Sequence, residues 1–319
     1  MGMFTGELIA TGMMTVFDPQ APGTRTVYNL GMVTLVICLV IFSIVGGIIF
    51  YSVVRCRWRE GDLDPHQFAG NKTMELIWTG IPFLIVIALF TLTVRTMDSA
   101  DPDPPANPDL IVTGHQWWWE VQYPKSGVIT ANEIHIPVGR PFSVLLDSKD
   151  VLHEFWVPEL TRKMTTVPGH ANHVWLQADT PGTYLGVCSE FCGTQHAWMR
   201  FIVVAEDPAK FEEWQTAQLQ PAPAPASGDA AKGLALFQQM SCVSCHAING
   251  TAASARFAPD LTHLASRRLL GAGIAENTPE NLLLWLQNPQ QVKPGVLMPN
   301  FNFNHDQVRQ LATYFETLK

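Results

Sequence analysis

The chain has 319 residues, 28 acidic and 20 basic side chains, a formal net charge of −8 and a hydrophobic fraction of 47%. That length accommodates two or three domains, and the acidic balance excludes nucleic acid as an expected partner, since such proteins carry clustered positive charge. Apolar residues are ordinary in number but uneven in placement, and the unevenness sets the order of the chain.

Residues 1–24 lack the basic start and apolar run of a signal peptide. Either a leader has been removed, or the first helix is itself the export signal. No charged residue occurs from Thr26 to Val54, nor from Leu76 to Val94. A bilayer core needs ~20 apolar residues per helix, so residues 25–98 are expected to form a transmembrane hairpin. Pro82 is tolerable there, because neighbours re-satisfy a membrane helix backbone; a buried soluble helix is the alternative for the second segment. Arg55, Arg57, Arg59 and Lys72 lie between the segments, while Asp98, Asp101, Asp103 and Asp109 follow the second. The positive-inside rule puts the Arg-rich loop in the cytoplasm and both termini outside. Cys38 and Cys56 are separated by ~27 Å of helix, too far for a disulfide.

Asp101 to Pro108 reads as a stiff connector. Between Leu110 and Val204, seven short strands separated by turn residues suggest a β-sandwich, in a domain expected over 99–214. Within it, Cys188-Ser-Glu-Phe-Cys192-Gly-Thr-Gln-His196-Ala-Trp-Met199 packs two thiols, an imidazole and a thioether into one loop. Such soft donors select copper over hard cations. Two thiolates can bridge two coppers with one imidazole for each, which requires a second histidine; His153 is available. A structural zinc site of Cys2His2 type is the alternative, though it leaves Met199 and Glu190 unused. A Cys188–Cys192 disulfide leaves His196 and Met199 unexplained.

Residues 215–228, with alternating Pro and Ala, read as a semi-rigid polyproline spacer. Residues 229–319 form the last domain, expected to be helical at Asp229 to Met240, from Thr278 through Leu286, and from Asn304 or Asp306 to Lys319. Cys242-Val-Ser-Cys245-His246 is the c-type haem attachment pattern; no second cysteine pair follows for zinc and no βαβ pattern surrounds it. Pro294-Gly-Val-Leu-Met298-Pro presents a thioether, and His/Met ligation raises haem potential for electron transfer. Met298 is therefore the expected sixth ligand, with packing alone as the alternative.

The copper loop resembles that of subunit II of the haem–copper cytochrome c oxidases, and Asp150 to Leu160 resembles that family's first-histidine strand. The resemblance implies a cupredoxin-like Greek-key sandwich holding a binuclear CuA centre. Cys188 and Cys192 would bridge, His153 and His196 would be terminal ligands, and Met199 would be a weak axial ligand on one copper. The carbonyl of Glu190 would be its counterpart on the other, and the Glu190 side chain would reach a magnesium shared with subunit I. Trp117-Trp118-Trp119 resembles the family's Trp-Tyr-Trp cluster, which implies Trp117 as the point where electrons come in. Glu75 aligns with a residue at the entrance of a proton path. The C-terminal domain resembles a class I cytochrome c. In it Gly233 and Phe237 would meet Tyr314 or Phe315, Cys242 and Cys245 would hold one haem c covalently, and His246 and Met298 would be its axial ligands. Arg267 and Trp285 are candidate propionate partners.

Together these imply the electron-accepting subunit II of a respiratory cytochrome c oxidase with a fused cytochrome c. Electrons would pass from haem to CuA and on to a subunit I that reduces dioxygen to water with proton translocation; no oxygen-reducing site is expected in this chain. Expected partners are subunit I, subunit III, an external cytochrome c or other donor, and the lipid of a bacterial inner membrane, with all metal sites extracytoplasmic. The alternatives are a CuA-bearing nitric oxide reductase subunit, or a membrane-anchored electron carrier with no obligate catalytic partner. Residues 98–228 carry 7 basic and 16 acidic residues and 229–319 carry 7 and 6, so an acidic copper domain is expected to be a docking face for a less acidic cytochrome.

Overall fold

The structure, a computed structural model, describes residues 14–64, 66–67, 69–100 and 102–319. Most of the N-terminal segment and Asp101 of the connector lie outside the described residues. Two helices come first, α1 (Pro22–Arg55) and α2 (Lys72–Ala100). Each outlasts its charge-free stretch by several residues, because the backbone ladder continues into the polar flanks. Pro82 sits inside α2 without ending it. Neither helix has a buried residue, and both are long and apolar enough to cross a membrane. Glu75 lies in the first turn of α2.

Ten strands follow: β1 (Leu110–His115), β2 (Trp118–Tyr123), β3 (Val128–Ala131), β4 (Glu133–Pro137), β5 (Phe142–Ser148), β6 (His153–Trp156), β7 (Met164–Thr166), β8 (Asn172–Leu176), β9 (Gly182–Cys188) and β10 (Arg200–Glu206). They form two five-stranded sheets, ordered β3-β2-β1-β5-β8 and β4-β10-β9-β6-β7. The pairs β1–β5 and β4–β10 are parallel and the others antiparallel, so the chain crosses between sheets as a Greek key does. Inward residues of both sheets share one core, including Trp119, Val121, Phe155 and Phe201.

Strand β6 falls in Asp150 to Leu160, where the resemblance implies a histidine-bearing strand, whereas β3 and β7 were not expected. Each is only three or four residues long, too short for alternation to show. A helix, α3 (Pro208–Gln218), closes the sandwich with Phe211 buried in its core. It runs past position 214, where composition marks the start of a spacer. Asp207 followed by Pro208 is a readable helix start, so the sequence did hold a signal for it.

The C-terminal half contains α4 (Gly228–Gln239), two-residue strands β11 (Leu269–Leu270) and β12 (Ala275–Glu276), and helices α5 (Pro279–Gln287), α6 (Pro289–Val292) and α7 (His305–Phe315). Thr278 caps α5 by accepting from the Asn281 amide, and Asn304 with Gln307 forms a capping box on α7. The last helix stops at Phe315 rather than Lys319, in a tight turn where the Thr317 and Leu318 amides bond back. Helices α4 and α7 cross at Gly233, where a Cβ would meet the Gln310 carbonyl. Phe237 packs against Tyr314 and Phe315 beside that crossing.

The proline-rich stretch does not hold the two halves apart. The Ala222 amide donates to the Asn249 carbonyl at 2.9 Å and its side chain packs on the C-terminal core. The sandwich and the C-terminal half are in direct contact: the Arg200 amide donates to the Ala272 carbonyl at 3.0 Å, and Trp118 packs with Ala131 and Ala272.

Candidate metal and haem centres

Strand register brings the soft donors together. The β6–β9 pairing sets Phe155 opposite Cys188, which places His153, two residues away on the same face, beside the end of β9. The chain then loops out, makes a short 3-10 turn over His196–Trp198, and returns as β10, with the Cys188 amide donating to the Met199 carbonyl at 3.0 Å. Loop and turn thus point their side chains back at one spot.

Cys188 and Cys192 sulfurs lie 3.7 Å apart. His153 Nδ1 is 4.0 Å from Cys188 Sγ, and His196 Nδ1 is 3.7 Å from Cys192 Sγ. Met199 Sδ is 3.8 Å from Cys192 Sγ, and the Glu190 carbonyl is 3.3 Å from Cys188 Sγ. His153 and Met199 are wholly buried, and the two cysteines nearly so. The sulfur separation far exceeds the ~2.05 Å of a disulfide. A tetrahedral zinc site needs four donors; six converge here, two of them a thioether and a carbonyl. The set therefore fits a pair of soft ions bridged by two sulfurs better than it fits zinc. A hydrogen bond from Cys192 holds the Cys188 thiol well below its usual range, assisted by His153, while the same contact pushes Cys192 up.

Two residues that support this centre escape sequence inspection. Asp150 Oδ1 sits 2.7 Å from His153 Nε2, the nitrogen away from the sulfurs, and Asp150 Oδ2 accepts the Gln116 amide at 2.6 Å. A carboxylate on the far nitrogen fixes the tautomer that offers Nδ1 to a metal. Gly114 faces the same ring: a Cβ there would lie 2.6 Å from His153 Cδ2. The role of Gly114 does not follow from spacing, because it depends on β1 lying beside the histidine; that of Asp150, three residues before His153, depends on how the loop between them turns.

Trp117 donates from its indole nitrogen to the Cys192 carbonyl at 2.9 Å, alongside Gln116 Nε2 at 2.8 Å. Trp119 meets His153 edge-on with ring centroids 5.9 Å apart, whereas Trp118 stacks on His115. The three adjacent tryptophans thus face three different environments. The Glu190 side chain is exposed.

The second centre is a cavity lined by Cys242, Cys245, His246, Trp285, Arg267 and Met298. His246 Nδ1 donates to the Pro259 carbonyl at 2.7 Å, which leaves Nε2 as the free nitrogen. Burial lowers the His246 pKa, so the imidazole is held neutral, the form that binds iron. Met298 sits on a loop braced by Gln290, whose amide donates to the Val296 and Met298 carbonyls at 2.6 and 2.8 Å. Arg267 is buried at the domain contact, donating to the Asp260 carbonyl at 2.6 Å and to Thr130 Oγ1 at 3.3 Å. These residues fit a haem: two thiols in and just after a 3-10 turn over Ser241–Ser244, an imidazole nitrogen and a thioether around one apolar cavity. Trp117 and Trp118 line the same cavity, so one tryptophan touches both the copper loop and the haem-sized space.

Three protein-family models match in succession: the transmembrane domain of cytochrome c oxidase subunit II at residues 10–94, its periplasmic domain at 126–206, and cytochrome c at 230–319. Cytochrome c oxidase subunit 2 of Alkalihalophilus pseudofirmus is 35% identical over 314 residues, covering 96% of this chain and 91% of that protein. The chain belongs to the cytochrome c oxidase subunit II family. Its counterpart in Bacillus subtilis is 33% identical, covering 96% of this chain and 92% of the relative. A quinol oxidase subunit 2 from Bacillus cereus is 33% identical over 66% of this chain and 75% of its own length. Family membership implies copper and association with subunit I of a haem–copper oxidase, and the cytochrome c match implies haem. The apolar helices and the transmembrane match make this a membrane-anchored bacterial subunit.

Proposed function

We propose that this subunit II accepts electrons from a cytochrome c haem, holds them on a binuclear CuA centre, and delivers them to a subunit I that reduces dioxygen to water with proton translocation. The observation that supports it most directly is the convergence of Cys188, Cys192, His153, His196, Met199 and the Glu190 carbonyl on one buried spot. Copper bound there would supply a one-electron couple shared between two ions. Haem held through Cys242 and Cys245, with His246 and Met298 as axial ligands, would supply a second couple of raised potential.

The protein's own contribution is rigidity. The β6, β9 and β10 ladders fix the donors, Asp150 orients His153, and burial of Met199 excludes water, so little moves when charge changes. Trp117 is the side chain through which the two centres communicate. Domains are assigned as 1–24, 25–98, 99–214, 215–228 and 229–319, with α3 extending the copper domain to Gln218. Both termini and all metal sites are assigned to the extracytoplasmic side by the Arg55, Arg57, Arg59 and Lys72 loop. Glu190 is assigned to an interfacial magnesium, Glu75 to a proton-path entrance, and Arg267 and Trp285 to the haem propionates. Subunit III and an external cytochrome c complete the assembly.

The test is electron paramagnetic resonance and metal analysis of the purified chain. Two coppers, one covalent haem and a hyperfine pattern split by two equivalent copper nuclei are expected. A mononuclear copper pattern, or zinc in its place, overturns the assignment.

A further inference from the structure

Lys293 lies between α6 and the loop that ends at Met298, and its side chain is only 2% exposed. Among the described residues it has no carboxylate partner. Its ammonium donates instead to three backbone carbonyls: Trp198 at 2.8 Å, Gly271 at 2.9 Å and Trp117 at 3.3 Å. An ammonium has three N–H donors, so the set is complete. Two of the acceptors belong to the sandwich and one to the haem-binding domain.

The neighbouring residues continue the grip. Gln195 donates from its side-chain amide to the Pro294 carbonyl. A Cβ on Gly295 would come within 2.9 Å of Thr194 Cγ2. Residues 293–295 are therefore seated on the copper loop, and the same short segment continues to Met298. On the other side, Trp198 immediately precedes Met199, and Trp117 holds the Cys192 carbonyl. Through these carbonyls, Lys293 ties the segment that leads to Met298 to backbone beside the copper donors and to Gly271 of its own domain.

Burying a cation with no counter-charge is costly, and an apolar side chain of similar volume packs the same space more cheaply. Packing alone therefore gives no reason for an ammonium here. A methionine cannot draw carbonyls from two domains onto one point; an ammonium can. We propose that Lys293 is a positioning residue, a pin that locks the haem-binding domain onto the copper loop and fixes the separation across which the electron passes. The geometry of the pin stands by itself; its consequence for electron transfer rests on the electron-accepting role proposed above. The fused cytochrome is then a docked donor rather than one swinging on its linker.

The experiment uses the full-length chain loaded with copper and haem, with amide hydrogen exchange and flash-induced electron transfer as readouts. In the wild type, peptides spanning 193–200 and 268–275 stay protected, equally at about 0.05 M and about 0.5 M salt, because a buried contact is not screened as surface charges are. Lys293→Met keeps both metals, yet those peptides exchange at least about tenfold faster, the size of one lost charge-assisted hydrogen bond. Transfer of one electron from the reduced haem to the oxidised copper slows at least about tenfold as the fixed geometry is lost.

Wild-type peptides that exchange like open loops, or a Lys293→Met chain protected like the wild type, overturn the proposal. Faster exchange with an unchanged transfer rate overturns it as well, leaving Lys293 a packing residue only. Should Lys293→Met fail to fold, the wild-type salt series decides alone. A wild-type copper signal from a single ion would overturn the electron-accepting role instead, while the exchange measurements would still judge the pin.

Discussion

Gly233→Ala tests the helix crossing that frames the haem cavity. A Cβ at this position would stand 2.0 Å from the Gln310 carbonyl oxygen, 2.7 Å from the Gln310 carbonyl carbon and 2.8 Å from Tyr314 Cβ. All three are backbone or the root of a side chain, so none can rotate away. Helix α4 must back off α7 by about 1 Å before the contact reaches the ~3.0 Å that real Cβ atoms tolerate. Alanine gains about 1 kcal/mol over glycine in helix propensity. Overpacking costs about 1–3 kcal/mol or more, and backing off also loosens Phe237 from Tyr314 and Phe315. The clash outweighs the propensity gain, and the melting temperature of the haem domain should fall by roughly 5–15 °C. Haem absorbance during heating of the full-length chain reports it, with copper absorbance as the internal reference. An unchanged or higher melting temperature would refute the reasoning, because propensity would then have won and the crossing would be looser than described.

Gly114→Ala should push the His153 ring off its seat, since a Cβ there meets Cδ2 at 2.6 Å and Thr166 Oγ1 at 3.2 Å; copper competition titration should show weaker loading, and wild-type affinity would contradict the contact. Met199→Leu should retain both coppers but shift their midpoint potential, read by redox titration, as a weak axial thioether is lost. His135 lies between Glu206 and Glu133, at 2.8 and 3.0 Å, and stacks on Trp214. Burial works to lower its pKa, but the two carboxylates outweigh burial and raise it above the ordinary value. A raised folded pKa contributes stability that is fully present below ~6.5 and fades as pH rises through the folded value. The melting-temperature gap between wild type and His135→Gln should therefore be wider at about pH 5.5 than at about pH 8.5; a gap that is flat or grows with pH would refute it.

The membrane helices and the metal-donor sets were legible because they are local. Hydropathy marks α1 and α2 directly. Cys188, Cys192, His196 and Met199 fall within one loop, and Cys242, Cys245 and His246 within one turn. The short strands β3 and β7 were not legible, because three or four residues carry no period; β6, equally short, was legible only through the resemblance of its histidine stretch. Gly114 and Lys293 were hidden for a different reason: each acts on residues far away in sequence, and only strand register or domain contact brings them together; Asp150 lies three residues before His153, and its contact depends on how the loop between them turns. The Pro-Ala stretch reads as a spacer from composition, yet its free backbone groups let Ala222 bond along the haem domain.

The interface also changes the charge that solvent meets. The haem domain carries seven basic and six acidic residues in sequence. Arg267 and Lys293, both buried at the contact, leave five basic residues against those six acids on its outer surface. Added to the acidic sandwich, this makes the whole docked assembly negative to an approaching molecule. Diffusional encounter with a soluble partner is then fastest for a basic one and slows as salt is added, even though the sequence of the haem domain, taken alone, is slightly positive.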